Sequence, residues 1–318
     1  MILVLGAGAF GTGLAVALAQ AGRDVQLWAH NTGHVAAMQA TRRNDARLPG
    51  VSLPPNLVIA ATLPTVADAV LLALPMQALG GALPALADVL NGMPLVACCK
   101  GIDLATGKGP AALLTAACPK SSVAVLTGPS FAADIARGLP TALTLACAND
   151  RAGEALQHLI STLTLRIYRT TDVIGAEFGG AMKNVIAIAA GVVVGAGLGD
   201  SARAALMTRG YAEMVRAAQA MGARAETLAG LSGLGDLVLT CTSDQSRNFR
   251  YGHALASGRA IDMAVTVEGV STAQAMAKLG LAHGLDLPIT AMVAALSTGD
   301  VTLSQAVQSL MSRPLKQE

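Results

Sequence analysis

Residues 2–15 read ILVLGAGAFGTGLA, and the interpretation of the whole chain starts from this stretch. Its first four residues are all apolar, which is typical of a buried strand. Gly6, Gly8 and Gly11 follow with the spacing GxGxxG and open a predicted helix at 11–21. In a strand–turn–helix unit these glycines permit a tight turn, close approach of a pyrophosphate and close packing of helix on strand. The stretch predicts a Rossmann-type dinucleotide site; the alternative is a glycine-rich turn that only packs.

On both sides of this unit, short apolar runs alternate with helical patterns through the first half of the chain. Such alternation indicates right-handed βαβ units and a doubly wound sheet whose two faces are covered by helices. The predicted strands are 2–5, 25–28, 57–60, 69–74, 95–97, 123–126, 141–146 and 165–168, and the predicted helices are 11–21, 32–40, 77–90, 110–117, 131–137 and 153–163.

The second half changes character, because long helical patterns follow with almost no strand signal. The predicted helices are 173–195, 201–221, 247–256, 271–283, 289–297 and 303–310. We therefore predict an α/β Rossmann domain at 1–170 and an all-α substrate-binding and catalytic domain at 171–318. Two such domains packed together leave a cleft where a small ligand can bind.

Composition limits the classes of function. Over half of the 318 residues are apolar, and 22 Lys and Arg nearly balance 20 Asp and Glu. No basic block or aromatic-basic stripe is present, so we expect a small-molecule substrate and no nucleic-acid partner. The five cysteines form no CxxC and no His/Cys spacing typical of a metal site, so we predict no metal.

The sequence also indicates where in the cell the protein is expected. The start of the chain lacks the charged segment and cleavage site of a secretory signal, so we expect a cytoplasmic protein. The most apolar run, 185–198, is shorter than the roughly 20 residues that a membrane span needs, so we expect no stable membrane insertion. A homodimer formed through the apolar helical half is a further expectation.

The end of the second predicted strand bears on the choice of dinucleotide. NAD-selective sites often place a carboxylate there to bind the ribose 2′-hydroxyl. This chain instead has Trp28-Ala29-His30-Asn31 and no acid before Asp45. A 2′-phosphate would meet no carboxylate, so we expect NADP or NAD as cofactor.

Three further positions follow strand ends, where ligands bind in open α/β sheets. Pro75 follows the fourth strand and either flanks the nicotinamide side of the cleft or only ends the strand. Lys100 follows the next strand and either points into the cleft or is simply solvated. Gly128 and Ser130 form a tight turn after the sixth strand, where Ser130 can cap a helix, contact a ligand, or do both.

Lys183 lies in the otherwise small and apolar helical stretch GGAMKNVIAI at 179–188. Burying an unpaired ammonium is costly, and apolar neighbours leave little solvated surface for its side chain to reach. Desolvation lowers the pKa of lysine toward the range of a general acid or base, so we favour a catalytic Lys183. Asp236, between a glycine-rich turn and an apolar run, is its predicted charge partner.

Ser246, Arg247 and Asn248 open the predicted helix 247–256. A hydroxyl, a guanidinium and an amide at a helix start suit a phosphate group. The alternative is an ordinary helix cap followed by solvated side chains.

Taken together, these stretches resemble the bacterial-type NAD(P)-dependent glycerol-3-phosphate dehydrogenase family. The resemblance runs from residue 6 to about residue 270 and is most specific at GGAMKNVIAI, GLGDLVLTC and QSRN. Its segments are GAGAFGTGLA at 6–15, VQLWAHN at 25–31, CKGI at 99–102, LTGPSFA at 126–132, GGAMKNVIAI at 179–188, MTRG at 207–210, GLGDLVLTC at 233–241, QSRNFRYG at 245–252 and VEG at 267–269.

The resemblance implies a reaction and residue roles. Dihydroxyacetone phosphate would be reduced to sn-glycerol 3-phosphate for phospholipid synthesis, with Lys183 exchanging the proton on the substrate oxygen and Asp236 and Lys100 beside it. The implied substrate-binding residues are Lys100, Gly128, Ser130, Lys183, Asp236, Ser246, Arg247 and Asn248. The implied cofactor-binding residues are Gly6, Gly8, Ala9, Phe10, Gly11, His30, Pro75, Lys100, Ala132, Arg247 and Glu268.

The chain departs from the family pattern at positions that bear on cofactor binding. Leu74-Pro75-Met76-Gln77 stands where relatives often have VPS-His, and Thr266 stands at a position that is usually apolar. Two other classes of protein remain as alternatives: a β-hydroxyacid or 6-phosphogluconate-type dehydrogenase, which combines the same domain types with a helix-borne lysine, and a dinucleotide-binding redox sensor without a catalytic site.

Overall fold

The computed structural model describes residues 1–260 and 266–312. Its strands form an eight-stranded sheet of order β10-β9-β8-β7-β6-β1-β2-β5 and a separate hairpin, β3-β4. The ten strands are β1 Ile2–Leu5, β2 Val25–Trp28, β3 Arg43–Asn44, β4 Leu48–Ser52, β5 Leu57–Ala60, β6 Ala69–Leu72, β7 Leu95–Ala97, β8 Val123–Thr127, β9 Thr141–Cys147 and β10 Leu165–Thr170.

The helices surround the sheet in the first half and form the second half. They are α1 Ala9–Gln20, α2 Thr32–Thr41, α3 Met76–Leu90, α4 Pro110–Ala117, α5 Ala132–Ala136, α6 Asp150–Ile160, α7 Val173–Gly195, α8 Gly199–Ala220, α9 Ala225–Ala229, α10 Asp236–Cys241, α11 Arg247–Ser257, α12 Glu268–His283, α13 Pro288–Thr298 and α14 Leu303–Met311. Each predicted strand and helix is present, with ends that differ by a few residues.

The central strand β1 shows why the sheet is doubly wound. Ile2 and Val4 belong to an apolar cluster that includes α1 and α2, whereas Leu3 and Leu5 belong to a second cluster that includes α3 and α4. Because successive side chains of a strand point to opposite faces, both faces of the sheet are covered by helices. The predicted fold class is confirmed.

The sheet is not parallel throughout, which the apolar runs did not reveal. β9 pairs antiparallel with β8, whereas β10 pairs parallel with β9. The connecting helix α5 has five residues and rises only about 8 Å, too little to return along a strand of about 17 Å. The chain therefore enters β9 at the same end of the sheet at which β8 finishes, so β9 runs antiparallel to β8.

Two local elements were not predicted. The hairpin β3–β4 follows α2 and shows no alternation in the sequence, because β3 has only two residues and Pro49 and Gly50 interrupt β4. Residues Leu231–Gly235, expected to form a simple glycine-rich turn, instead form a π-helical turn that leads directly into α10.

Helix α7 connects the sheet to the helical half. Near its start, Ala176 packs in the same apolar cluster as Val125 of β8. Further along, Met182 and Ile186 lie in the core of the helical half. Lys183 is therefore carried at the junction between the two halves.

Glycine allows other helices to approach α7 closely. A Cβ atom on Gly252 of α11 would lie 1.9 Å from the carbonyl oxygen of Ile188, and one on Gly191 would lie 2.0 Å from that of Phe249. Neither position tolerates a side chain without separation of α7 and α11. The abundance of glycine in this half thus reflects close helix packing.

Within the described residues, one helix, Val173–Gly195, meets the length and composition criteria for a membrane span. In the most apolar 18-residue segment of this helix, 83% of the residues are buried inside the protein. Core helices of soluble proteins meet the same criteria.

Replacement of Gly252 by alanine should test this packing. We expect Gly252→Ala to lower the free energy of unfolding by about 3 kcal/mol, because the new methyl group overlaps the backbone of α7. Gly81→Ala is the matched control, since its Cβ would meet no atom within 4 Å in the helix α3. That variant should gain about 0.5–1 kcal/mol in urea denaturation. Equal effects of the two substitutions would contradict the packing account.

Candidate active site

Lys183, Asp236 and Lys100 meet at the junction of the two halves. The Lys183 Nζ atom lies 3.1 Å from Oδ1 of Asp236, and Lys100 Nζ donates to Oδ2 of the same carboxylate at 2.5 Å. Three separate elements supply them: α7, the first residue of α10 and the segment after β7. The structure thus brings the three predicted residues together around one carboxylate.

Thr240 completes this cluster and was missed as a site residue. Lys183 Nζ donates to Thr240 Oγ1 at 2.8 Å, and Thr240 Oγ1 donates to the Asp236 carbonyl at 2.6 Å. The signal available in the sequence was spacing, because residues four apart on a helix share one face. The threonine thus gives the ammonium group of Lys183 a second partner besides Asp236.

Burial and charge set the protonation of the cluster. Asp236 is 1% exposed and Lys183 is 8% exposed. Burial lowers the pKa of Lys183 to about 8; Asp236 opposes this change, and Lys100 adds to it. Burial alone would raise the pKa of Asp236, but the ammonium groups of Lys100 and Lys183 outweigh it and hold that pKa below its ordinary value.

The cluster therefore carries two positive charges and one negative charge near neutral pH. One net positive charge in a buried site stabilises an oxygen on which negative charge develops. A lysine with a pKa of about 8 also exchanges a proton readily near neutrality. The arrangement can thus act both as a proton donor and as an oxyanion-stabilising field.

The turn after β8 adjoins this cluster. Lys100 Nζ donates to the Gly128 carbonyl at 3.1 Å, and the Ser130 hydroxyl donates to the same oxygen at 3.1 Å. Gly128 has a φ of +132°, a conformation suited to glycine. Ser130 does not cap a helix: α5 has Phe131 at its N-cap position and no side-chain cap. The capping alternative is therefore wrong, and Ser130 stabilises the turn beside Lys100.

Ser246 and Arg247 lie at the start of α11, as predicted. The Ser246 hydroxyl oxygen accepts a hydrogen bond from the Phe249 N–H at 3.2 Å and so caps the helix. Arg247 is exposed. The capping interpretation therefore holds for Ser246, and its hydroxyl proton remains a potential donor to a ligand.

The Asn248 side chain joins three helices. Its Nδ2 donates to Asn184 Oδ1 at 2.8 Å, and its Oδ1 accepts from the Gly269 N–H at 3.0 Å. Asn184 directly follows Lys183 on α7. Asn248 thus braces the segment of α7 that carries Lys183, a role that the sequence did not indicate.

The glycine-rich turn between β1 and α1 fits a dinucleotide. Gly6 has a φ of +118°, and a Cβ there would lie 2.7 Å from the Ala73 carbonyl oxygen. Gly8 has nothing within 4 Å of its Cβ position, so the backbone at that point is open to a phosphate. A Cβ on Gly11 would lie 2.1 Å from the Gly6 carbonyl oxygen, so the start of α1 can lie this close to the turn only because residue 11 has no side chain.

Helix α1 adds the expected electrostatics at this turn. Its first two residues, Ala9 and Phe10, are half-buried. No side chain caps its N-terminus, and no acidic residue occupies its first turn. The positive end of the helix is therefore available to a pyrophosphate.

The other predicted cofactor residues lie on several different elements. Ala132 lies against α1, since a Cβ on Gly13 would be 2.7 Å from its carbonyl oxygen. His30 is exposed just after β2, and Pro75 is exposed at the N-cap position of α3. Glu268 Oε1 accepts from the Met76 N–H at 3.3 Å, whereas its buried Oε2 atom has no partner within the described chain. Such an oxygen is suited to receive a donor from a bound cofactor.

The departure at Gln77 has a structural role. Its side-chain amide donates to the Ile102 carbonyl at 2.8 Å and accepts from the Leu104 N–H at 3.0 Å. These bonds hold the segment that follows Lys100 against α3. The residue that stands in place of the expected histidine thus supports the position of Lys100.

The structure also places the thiols and possible metal ligands. All five cysteines are buried and unpaired. In residues 1–260 and 266–312, no group of three His, Cys, Asp or Glu side chains is placed to hold a metal ion.

Two family models match most of the chain. Residues 1–153 match the NAD-dependent glycerol-3-phosphate dehydrogenase N-terminus, and residues 172–308 match the NAD-dependent glycerol-3-phosphate dehydrogenase C-terminus.

Individual relatives align with this chain over nearly the full length of both proteins. A glycerol-3-phosphate dehydrogenase (NAD(P)+) of Cereibacter sphaeroides is 65% identical, covering 100% of this chain and 100% of the relative. One of Paracoccus denitrificans is 59% identical, covering 100% and 99%. The crystal structure of glycerol-3-phosphate dehydrogenase from Coxiella burnetii is similar with a TM-score of 0.92 at 35% identity, covering 98% of each chain.

Removal of the Asp236 charge should show that the cluster is buried and coupled. We expect Asp236→Asn to lower the free energy of unfolding by about 3 kcal/mol, because two ammonium groups lose their shared counter-charge. Asp200→Asn is the control, since Asp200 pairs with Arg203 while its side chain is 89% exposed. Its effect in urea denaturation should stay below about 1 kcal/mol. A loss as small for Asp236→Asn would contradict the burial of the cluster.

Proposed function

The chain belongs to the NAD-dependent glycerol-3-phosphate dehydrogenase family, and we propose that Lys183, Asp236 and Lys100 carry the chemistry of the family's reaction in this protein. The reaction is the reversible reduction of dihydroxyacetone phosphate to sn-glycerol 3-phosphate with NADH or NADPH. The resemblance drawn from the sequence is thereby confirmed.

The observation that carries the proposed roles is the buried Asp236 carboxylate between two ammonium groups. When bound, the reduced nicotinamide supplies a hydride to the ketone carbon of the substrate. The electron pair of the carbonyl double bond then moves onto its oxygen. Lys183 donates a proton to this oxygen, and Lys100 adds a positive field. In the reverse direction, a neutral Lys183 accepts the proton of the alcohol.

Asp236 acts in this scheme by holding the two lysines in place. Its two carboxylate oxygens each engage one ammonium group, Oδ1 with Lys183 and Oδ2 with Lys100. Thr240 fixes Lys183 from the side. The ammonium group is thus oriented before the substrate arrives, which reduces the reorganisation that the reaction requires.

The start of α11 is the proposed anchor for the substrate phosphate. Ser246 and Asn248 lie at a helix N-terminus, and Arg247 contributes a guanidinium there. Gly128 and Ser130 are proposed to contact the substrate on the side where Lys100 lies. Because Asn248 also braces α7 through Asn184, phosphate binding and placement of Lys183 are linked by one side chain.

The proposed cofactor-binding residues are Gly6, Gly8, Ala9, Phe10, Gly11, His30, Pro75, Lys100, Ala132, Arg247 and Glu268. The turn, α1 and Glu268 have the features described above for holding a dinucleotide. No carboxylate follows β2, where His30 is exposed instead. This supports acceptance of a 2′-phosphate, and we propose that both NADPH and NADH serve.

Several wider features are proposed on the basis of the family. The relatives named above are bacterial proteins. We place this enzyme in the cytoplasm without stable membrane insertion, as a supplier of glycerol 3-phosphate for phospholipid synthesis. We also propose a homodimer through the helical half and a domain division at 170/171, between the last strand and α7.

Turnover assays test the proposed reaction and the role of Lys183 together. We expect oxidation of NADPH and NADH by the wild type with dihydroxyacetone phosphate, and no turnover with 6-phosphogluconate or a short β-hydroxyacid. Lys183→Met should lower kcat by about 10²–10⁴-fold, because it removes the proton donor. It should still bind cofactor.

The control for this experiment is Lys120→Met, which alters an exposed lysine. Its kcat should match that of the wild type. Turnover of a β-hydroxyacid in place of dihydroxyacetone phosphate would move the protein to the alternative dehydrogenase class. Cofactor binding without any turnover would favour the redox-sensor alternative.

A further inference from the structure

We propose that Asn44 is a positioning residue for the dinucleotide, acting from the β3–β4 hairpin on the glycine-rich turn. This proposal depends on the proposed function only because it assumes that a dinucleotide binds at this turn. Asn44 was not among the residues singled out from the sequence. It is 2% exposed, so its polar side chain is buried between the hairpin and α1.

Every proton of the Asn44 amide is used. Nδ2 donates to the Ala7 carbonyl at 3.0 Å and to Thr12 Oγ1 at 2.7 Å. Oδ1 lies 2.9 Å from His34 Nε2. Because the Ala7 carbonyl only accepts, Nδ2 must face it, and His34 must donate through Nε2 to the oxygen of Asn44. The amide thus joins the turn, α1 and α2 in one fixed orientation.

The hydrogen bond to the Ala7 carbonyl orients the part of the turn that would face the phosphates of a bound dinucleotide. In a trans peptide, the carbonyl of Ala7 and the N–H of Gly8 share one plane and point in opposite directions. By holding the Ala7 carbonyl toward the hairpin, Asn44 turns the Gly8 N–H to the opposite side. Gly8 is also the glycine of the turn with open space around its Cβ position.

The bond to Thr12 ties this peptide to the helix. Thr12 N–H donates to the Gly8 carbonyl at 2.9 Å as the first turn of α1 forms. Asn44 therefore holds both ends of the segment from Ala7 to Thr12. With Asn44 removed, the Ala7 carbonyl and the Thr12 hydroxyl would lose a buried partner, and the turn would sample other orientations.

Cofactor binding measured by fluorescence tests this assignment without requiring turnover. Trp28 is the single tryptophan of the chain and lies at the end of β2, so energy transfer to reduced nicotinamide reports binding. We expect Asn44→Leu to raise the Kd of NADPH and of NADH alike by about tenfold or more. In assays with dihydroxyacetone phosphate, kcat at saturating cofactor should stay within about threefold of the wild type.

The matched control is Asn56→Leu. Asn56 Nδ2 donates to the Ala19 carbonyl at 2.9 Å, so it contacts the other end of the same helix. This variant should lose some stability and keep the wild-type Kd. A Kd of Asn44→Leu within twofold of the wild type, or an equal rise in Asn56→Leu, would overturn the proposal.

A second variant covers the case in which Asn44→Leu does not fold. Thr12→Val preserves shape and removes one acceptor of Asn44 while leaving the Ala7 bond. We expect its Kd to rise by about threefold, and an unchanged Kd would overturn the proposal. Wild-type protein that binds NADPH but does not turn over dihydroxyacetone phosphate would contradict the proposed function and leave the Asn44 assignment intact.

Discussion

A carboxylate buried between two ammonium groups is the interaction on which the site and the junction of the two halves depend. Asp236 without its partners would be a costly buried charge, and two lysines without Asp236 would repel each other. Because the three residues come from α10, α7 and the segment after β7, the cluster forms only when the halves are docked. Its one net positive charge then remains to stabilise an oxyanion.

The sequence just before Lys183 makes this docking possible. A Cβ on Gly180 would lie 2.7 Å from Thr127 Oγ1, and one on Gly179 would lie 2.4 Å from the Ser232 carbonyl oxygen. The two glycines therefore let the sheet approach α7 on one side and the π-helical turn approach it on the other. Asp236 follows that turn directly, so its carboxylate reaches Lys183 over a short distance.

The sequence predicted what periodicity and composition encode. Apolar runs gave the strands of the sheet, and the ammonium of Lys183 within an apolar helix indicated a buried charge that needed a partner. Features set by three-dimensional contacts were not available in this way. The antiparallel direction of β9, the contact of Thr240 with Lys183 and the contacts of Asn44 depend on how distant segments meet. The β3–β4 hairpin shows no pattern either, because β3 has two residues and Pro49 and Gly50 interrupt β4.

The pH dependence of catalysis in the wild type and in Lys100→Met tests whether this charge cluster sets the proton chemistry. Because Lys183 must be protonated for reduction, wild-type reduction of dihydroxyacetone phosphate should fall as pH rises through about 8, and oxidation of glycerol 3-phosphate should rise over the same range. Lys100 lowers the pKa of Lys183, so its removal should move both midpoints to higher pH. Midpoints that stay in place, or that move to lower pH, would contradict the account.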